Sequence, residues 1–108
     1  MLFARRAVID IGTNSVKLLV AEVAGHEVRP LLEDSQQTRL GQGFYETHQL
    51  QPEAIAHTAH AVARFADEAR RLKTESLRVI ATSAARDAVN PHELLTAIAS
   101  AAGVQVEI

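Results

Sequence analysis

Hydrophobic positions change period along this chain, and each change marks an element. Residues 7–11, Ala-Val-Ile-Asp-Ile, are a short β-branched run that stops at Gly12, the pattern of a buried strand. Residues 16–22 predict a second strand, and a third runs from Glu27 to Leu32 or Glu33. The connectors 12–15 and 24–26 are short enough to force antiparallel neighbours, because a parallel return needs a crossover of about a dozen residues. Residues 35–51 are polar and hold Gly41 and Gly43, which predicts a long, partly irregular connection. From Pro52 onward, Ile55, Ala59, Val62, Ala66, Ala69 and Leu72 recur at steps of three and four. His57, His60, Arg64, Asp67 and Arg71 fall on the opposite face, so a helix of about 20 residues is expected.

A compact strand follows over 77–81, and Thr82 and Ser83 can start a short helical turn that reaches Arg86. Asn90 as cap, Pro91 at the first helical position and Glu93 at the third predict a second long helix to about Ala102, stopped by Gly103. Residues 104–108 begin another strand. The order β-β-β-α-β-α-β describes an α/β protein with a mixed sheet covered by helices, and the sheet is expected to be buried on both faces. The stop straight after a strand raises the expectation of a segment of a longer protein.

Composition narrows the chemistry. The 108 residues hold 47% hydrophobic side chains, enough for one self-sufficient core. With no cysteine there is no disulfide, thiol nucleophile or iron–sulfur cluster, which suits a reducing cytoplasm. A net charge of −2 gives no electrostatic reason to expect nucleic acid or an anionic membrane as partner. The longest apolar stretch, 16–23, carries Lys17 and Glu22 and falls well short of the ~18–20 residues of a membrane span.

The richest local segment is Asp10-Ile11-Gly12-Thr13-Asn14-Ser15. A hairpin connection of Gly, Thr, Asn and Ser offers backbone N–H groups, hydroxyls and an amide to phosphate oxygens. An acid just before such a loop makes sense when Mg²⁺ lies between carboxylate and phosphate. The plainer alternative is a good turn with Asp10 as a strand-end acid. If strands 7–11 and 77–81 are parallel neighbours, their carboxyl ends open on one edge and the two polar loops face each other. Thr82, Ser83 and Arg86 would then stand beside the first loop, a helix start with a nearby guanidinium suiting an anion. An ordinary Ser83 cap and a solvated Arg86 are the plainer alternative here. His57 and His60 share a helical face that is otherwise charged, the signature of a solvated surface rather than a metal site.

Three segments in order, residues 8–18 (Val-Ile-Asp-Ile-Gly-Thr-Asn-Ser-Val-Lys-Leu), 39–43 (Arg-Leu-Gly-Gln-Gly) and 81–90 (Ala-Thr-Ser-Ala-Ala-Arg-Asp-Ala-Val-Asn), resemble the N-terminal motifs of the exopolyphosphatase and guanosine pentaphosphate phosphohydrolase (Ppx/GppA) family. The resemblance implies an actin-like, ribonuclease H-like fold of the sugar kinase and Hsp70 superfamily, in agreement with the element order. It implies that Gly12, Thr13, Asn14 and Ser15 form the first phosphate loop, with Asn14 touching a phosphate oxygen and Asp10 helping to hold Mg²⁺ or another divalent cation. Arg86 would bind the substrate from the opposite side, with Thr82, Ser83 and Asn90 shaping its loop and Arg39 as a weaker contact.

The implied reaction is attack of water on the terminal phosphoryl group of inorganic polyphosphate or guanosine pentaphosphate. The family's general base is a glutamate in a Gly-Glu-Glu type segment after the strand matching 104–108, and a second phosphate loop, Asp-(Ile/Leu)-Gly-Gly-Gly-Ser, comes later. Neither motif is among these residues, so the expectation is the first part of an actin-like domain, truncated before the base and inactive alone. Charge, cysteine usage and the lack of an apolar span lead to the expectation of a cytoplasmic protein with no nucleic-acid or membrane partner, with room for a homodimer of the parent protein. Two other readings stay open: an actin-like ATP-binding module of a sugar or acetate kinase relative, and a domain that senses polyphosphate or alarmone without hydrolysis.

Overall fold

The computed structural model describes residues 3–108. Three antiparallel strands open it: β1 (Ala4–Ile11), β2 (Ser15–Ala24) and β3 (Glu27–Gln37). A short helix α1 (Phe44–Thr47) precedes the long helix α2 (Pro52–Arg71), which leads into β4 (Ser76–Ala81). The single turn α3 (Ala84–Asp87), the helix α4 (Pro91–Ala102) and the strand β5 (Val106–Glu107) complete it. The five strands form one mixed sheet in the order β3-β2-β1-β4-β5, with β1 parallel to β4 and β4 parallel to β5. The expected element order and the parallel pairing of the first and fourth strands are both present.

Alternation along β1 and β2 sets the sheet's two faces, since successive side chains of a strand point to opposite sides. Ala7, Ile9, Ile11, Val16, Leu18 and Val20 are buried against the helices. Asp10, Lys17 and Leu19 between them are exposed, and Val8 is half-buried. Only one face is covered among the described residues, which corrects the expectation of a sheet buried on both. The reason lies in packing: α2 lies on β1 and β2, and α4 packs against α2 rather than on the far face. With two neighbours, α2 buries more than the expected stripe, adding Ala54, Thr58, Ala61 and Phe65 to it. The core gathers around Phe65, Ile9, Ile11, Leu18, Leu94 and Ile98.

Several strand boundaries differ from those the sequence predicts: β1 begins at Ala4 and β2 runs from Ser15 to Ala24, each longer than its hydrophobic run. β3 continues to Gln37, because β2 supplies a pairing partner as far as Ser15 opposite Gln37. As an edge strand with alternating exposure, it carries polar residues that hide it from a hydropathy reading. Its register slips by one at Val20/Ala21, which leaves Leu31 unpaired beside Pro30, a bulge on an edge strand where proline is tolerated. At the other end β5 is shorter than 104–108, spanning Val106–Glu107. Its Glu107 takes a two-point contact from Arg78 across the open face, Nε to Oε2 at 3.0 Å and Nη2 to Oε1 at 2.9 Å. Helix ends also depart from expectation: neither the Ser83 nor the Asn90 side chain accepts a helix N–H as a cap. Gly103 does stop α4, in the left-handed conformation with φ 68° and its N–H on the Ala99 carbonyl.

Candidate phosphate-binding site

The carboxyl ends of β1 and β4 lie side by side, with Ile11 opposite Ala81. Each strand is followed by a tight polar turn, so parallel pairing alone brings residues 12–15 next to residues 82–86. Two contacts join the turns: the Thr82 N–H donates to the Ile11 carbonyl and the Ala84 N–H to Thr13 Oγ1, each at 3.4 Å.

The first turn is held mainly from behind. Its own ends close through the Gly12 N–H on the Ser15 carbonyl at 2.9 Å. The N–H groups of Thr38 and Arg39 both donate to the Asn14 carbonyl at 3.0 Å, and the Gly41 N–H donates to the Thr13 carbonyl at 2.9 Å. All described peptides are trans. A trans peptide points its C=O and N–H in opposite directions, so carbonyls turned into segment 38–41 aim the N–H groups of Asn14 and Ser15 away from it. The Asn14 side chain is exposed, and its Oδ1 accepts from Gln37 Nε2 at 3.3 Å. That contact occupies the acceptor end of the amide and leaves the donor end, the one an anion needs, facing elsewhere.

The second turn is built differently. Ser83 sits at φ 47° and ψ −107°, a conformation that non-glycine residues rarely adopt. The Ala85 N–H closes the turn on the Thr82 carbonyl at 3.2 Å, and the Asp87 N–H reaches the Ser83 carbonyl at 3.0 Å. Arg86 projects from this turn into solvent, its Nε 3.6 Å from Asp87 Oδ1. Asn90 closes the region: its Oδ1 accepts from the Leu50 N–H at 2.8 Å and its Nδ2 donates to the Leu50 carbonyl at 3.0 Å and to Glu93 Oε2 at 2.6 Å. With the Val89 N–H on the His48 carbonyl at 2.9 Å, this stitches the loop after α3 to the segment before α2. Asn90 therefore shapes the loop, and its amide is spent on Leu50 and Glu93.

Asp10 stands on the open face near the end of β1, exposed, with Lys17 opposite it on β2. Among the described residues no group of three or more His, Cys, Asp or Glu side chains could hold a metal on its own. One exposed carboxylate beside a phosphate loop still fits Mg²⁺, which is bound through one or two carboxylates together with substrate phosphates and water. Arg39 is exposed at φ 52°, and its backbone N–H, rather than its guanidinium, makes the contact with the loop. His57 and His60 are exposed, as their helical face predicts.

For segment 38–41 the sequence offers ligand contact by Arg39 or packing over the sheet edge, and the structure shows it bracing the first turn. The pair of glycines at 41 and 43 was its signal. Gly43 has φ 74°, a conformation that favours glycine, whereas Gly41 is not in that region and a Cβ there would collide with Thr13 Cγ2. Lys17 beside Asp10 was legible too, because a two-residue hairpin tip after Gly12 fixes Asp10 opposite Lys17.

A mixed sheet in this order, with polar turns after its first and fourth strands joined at their tips, is an actin-like α/β arrangement. The Ppx/GppA phosphatase family model matches residues 18–108, and the chain belongs to that family. It is 44% identical over 94 residues to exopolyphosphatase 2 of Mycobacterium tuberculosis, covering 83% of this chain and 30% of that protein. It is 32% identical over 103 residues to the guanosine-5'-triphosphate,3'-diphosphate pyrophosphatase of Photobacterium profundum, covering 94% of this chain and 20% of that one. The crystal structure of the Aquifex aeolicus member of the Ppx/GppA family superposes with a TM-score of 0.91 at 32% identity, over 98% of this chain and 35% of that one. An exopolyphosphatase-like protein gives the same TM-score at 34% identity, over 98% of this chain and 32% of its own. The chain thus spans a fifth to a third of the length of these relatives. No described helix is long and apolar enough to cross a membrane.

Proposed function

We propose that these residues form the phosphate-binding half of a hydrolase that releases terminal phosphate from inorganic polyphosphate or guanosine pentaphosphate. The observation that carries this reading is the junction of the two turns, Ala84 N–H on Thr13 Oγ1 and Thr82 N–H on the Ile11 carbonyl, at the ends of parallel strands. In this reading the outward N–H groups of Asn14 and Ser15, the Asn14 amide and the Arg86 guanidinium would meet one phosphate group. Donors fixed in advance need no reorganisation when charge develops on the phosphoryl oxygens, and that is how such sites lower a barrier. Asp10 would hold Mg²⁺, which when bound supplies charge neutralisation on the phosphate oxygens. The N–H groups of the first turn and Arg86 orient the phosphoryl group, and Thr82 and Ser83 set the direction of the second turn. No carboxylate of these residues is assigned the general base, which the family pattern places after residue 108. The reading goes with the cytoplasmic location expected from the sequence.

The test is phosphate release by the full-length protein with Mg²⁺ and, separately, long-chain polyphosphate, guanosine pentaphosphate and ATP. Release from either of the first two is expected, with Asp10→Ala abolishing it while the unfolding midpoint stays near that of the wild type. Turnover of ATP alone would favour the kinase-like reading, and binding of either substrate without release would favour a sensing domain.

A further inference from the structure

Gly41 lies outside the phosphate turn and four residues beyond the end of β3. Its backbone is not in the left-handed region, so an L side chain meets no conformational barrier there. What excludes a side chain is space: a Cβ on Gly41 collides with Thr13 Cγ2 and lies 3.5 Å from the Thr13 carbonyl oxygen. The same residue donates its N–H to that carbonyl at 2.9 Å. Thr13 is thereby held at three points: its carbonyl by Gly41, its methyl against the Gly41 backbone, and its Oγ1 by the Ala84 N–H of the second turn.

We propose that Gly41 is a positioning residue for phosphate binding, seating Thr13 so that the N–H groups of Asn14 and Ser15 face the ligand and the first turn meets the second. This rests on the reading of the 12–15 turn as a phosphate loop. The bare Cα lets the backbone of 38–41 come close enough to bond the Thr13 carbonyl, and that bond sets the plane of the Thr13–Asn14 peptide. A methyl group at position 41 displaces Thr13, tilts that peptide and disturbs the Ala84 contact. The damage is specific to one methyl against another, so removing the second methyl repairs it.

The experiment compares Gly41→Ala, Thr13→Ser and the double variant in the full-length protein. Thr13→Ser deletes Cγ2 and keeps the hydroxyl that Ala84 donates to. Misplacement of a reacting group by ~1 Å is worth up to about 10²-fold in rate, so Gly41→Ala is expected to lower kcat/KM for tripolyphosphate by that order, with an unfolding midpoint close to wild type. The double variant is expected to recover most of the loss relative to Gly41→Ala. Gly43→Ala is the contrast: it strains a left-handed residue that does not touch Thr13, so its midpoint falls and Thr13→Ser does not rescue it. Backbone amide NMR shifts of residues 12–15, recorded without ligand, are expected to move in Gly41→Ala and return in the double variant.

Wild-type activity in Gly41→Ala, a loss that follows the folded fraction, or a double variant no better than the single one would overturn the proposal. If the wild-type protein releases no phosphate, the hydrolase reading fails on its own. The amide shifts then decide the Gly41–Thr13 interlock: shifts that do not move in Gly41→Ala, or do not return in the double variant, overturn it.

Discussion

The two turns that follow the parallel strands β1 and β4 are similar short polar sequences, yet they are held by different means. Residues 12–15 are braced from outside, with three N–H groups of segment 38–41 on two of their carbonyls and no described residue among them at positive φ. Residues 82–86 close on themselves through the Ala85 and Asp87 N–H groups, lean on the first strand and turn through the Thr82 and Ala84 N–H groups, and contain Ser83 in a strained conformation. The braced turn presents backbone donors, whose usefulness depends on direction. The strained turn presents the Arg86 side chain, and a charge on such a flexible stem can reach a ligand from a range of backbone positions. Direction therefore needs scaffolding in the first turn, and strain is tolerable in the second.

The largest effect that this contrast predicts falls on Arg86. It is exposed and paired only with Asp87, so Arg86→Ala should leave the unfolding midpoint unchanged. Loss of one charge-stabilising donor costs about 10²–10³ in turnover, and assays of phosphate release by the full-length protein check this. Asn90→Ala comes next. It strips the partners from the backbone N–H and carbonyl of Leu50, a residue that is 2% exposed, and should cost roughly 1–3 kcal/mol in denaturant unfolding. Should it lower activity without lowering stability, the stitch between the two loops would have to be reassigned as ligand contact.

Ser83→Gly has the opposite sign. Relief of the positive φ is worth of order 1–3 kcal/mol and the added glycine entropy offsets up to about 1 kcal/mol, so a net gain of about 1 kcal/mol is expected by thermal or denaturant unfolding. The same substitution at Thr13, in the unstrained turn, should bring no such gain. Smallest of all is Glu107→Gln beside β4. The hydrogen bonds from Arg78, helped by its charge, hold the Glu107 carboxyl below the usual range and raise the guanidinium. A carboxylate with a lowered folded pKa stabilises above its unfolded pKa and loses that contribution as pH falls through its folded one. The variant should therefore melt slightly below wild type at neutral pH and low salt, with the difference vanishing in acid and at high ionic strength.

Much of the architecture was legible because it follows from short-range rules. Pro52 and Pro91 open their helices where expected, Gly103 closes one, and the 12–15 connector forces an antiparallel hairpin. Asp10, Asn14 and Arg86 could be singled out because their chemistry is local. What stayed hidden depended on neighbours. The polar half of β3 is a strand only because β2 pairs with it. Asn90 matched a cap by type and position, yet its amide is drawn to the Leu50 backbone, 40 residues away.

By itself the amino-acid sequence determined the element types, their order and the residues able to meet a phosphate, since propensity, periodicity and turn chemistry act over a few residues. Tertiary structure decided which face of the sheet was covered, which donors in the 12–15 turn point outward, and why a side chain at position 41 would press on Thr13. Those outcomes depend on segments far apart in the chain coming within van der Waals and hydrogen-bond range, and no local pattern encodes that distance.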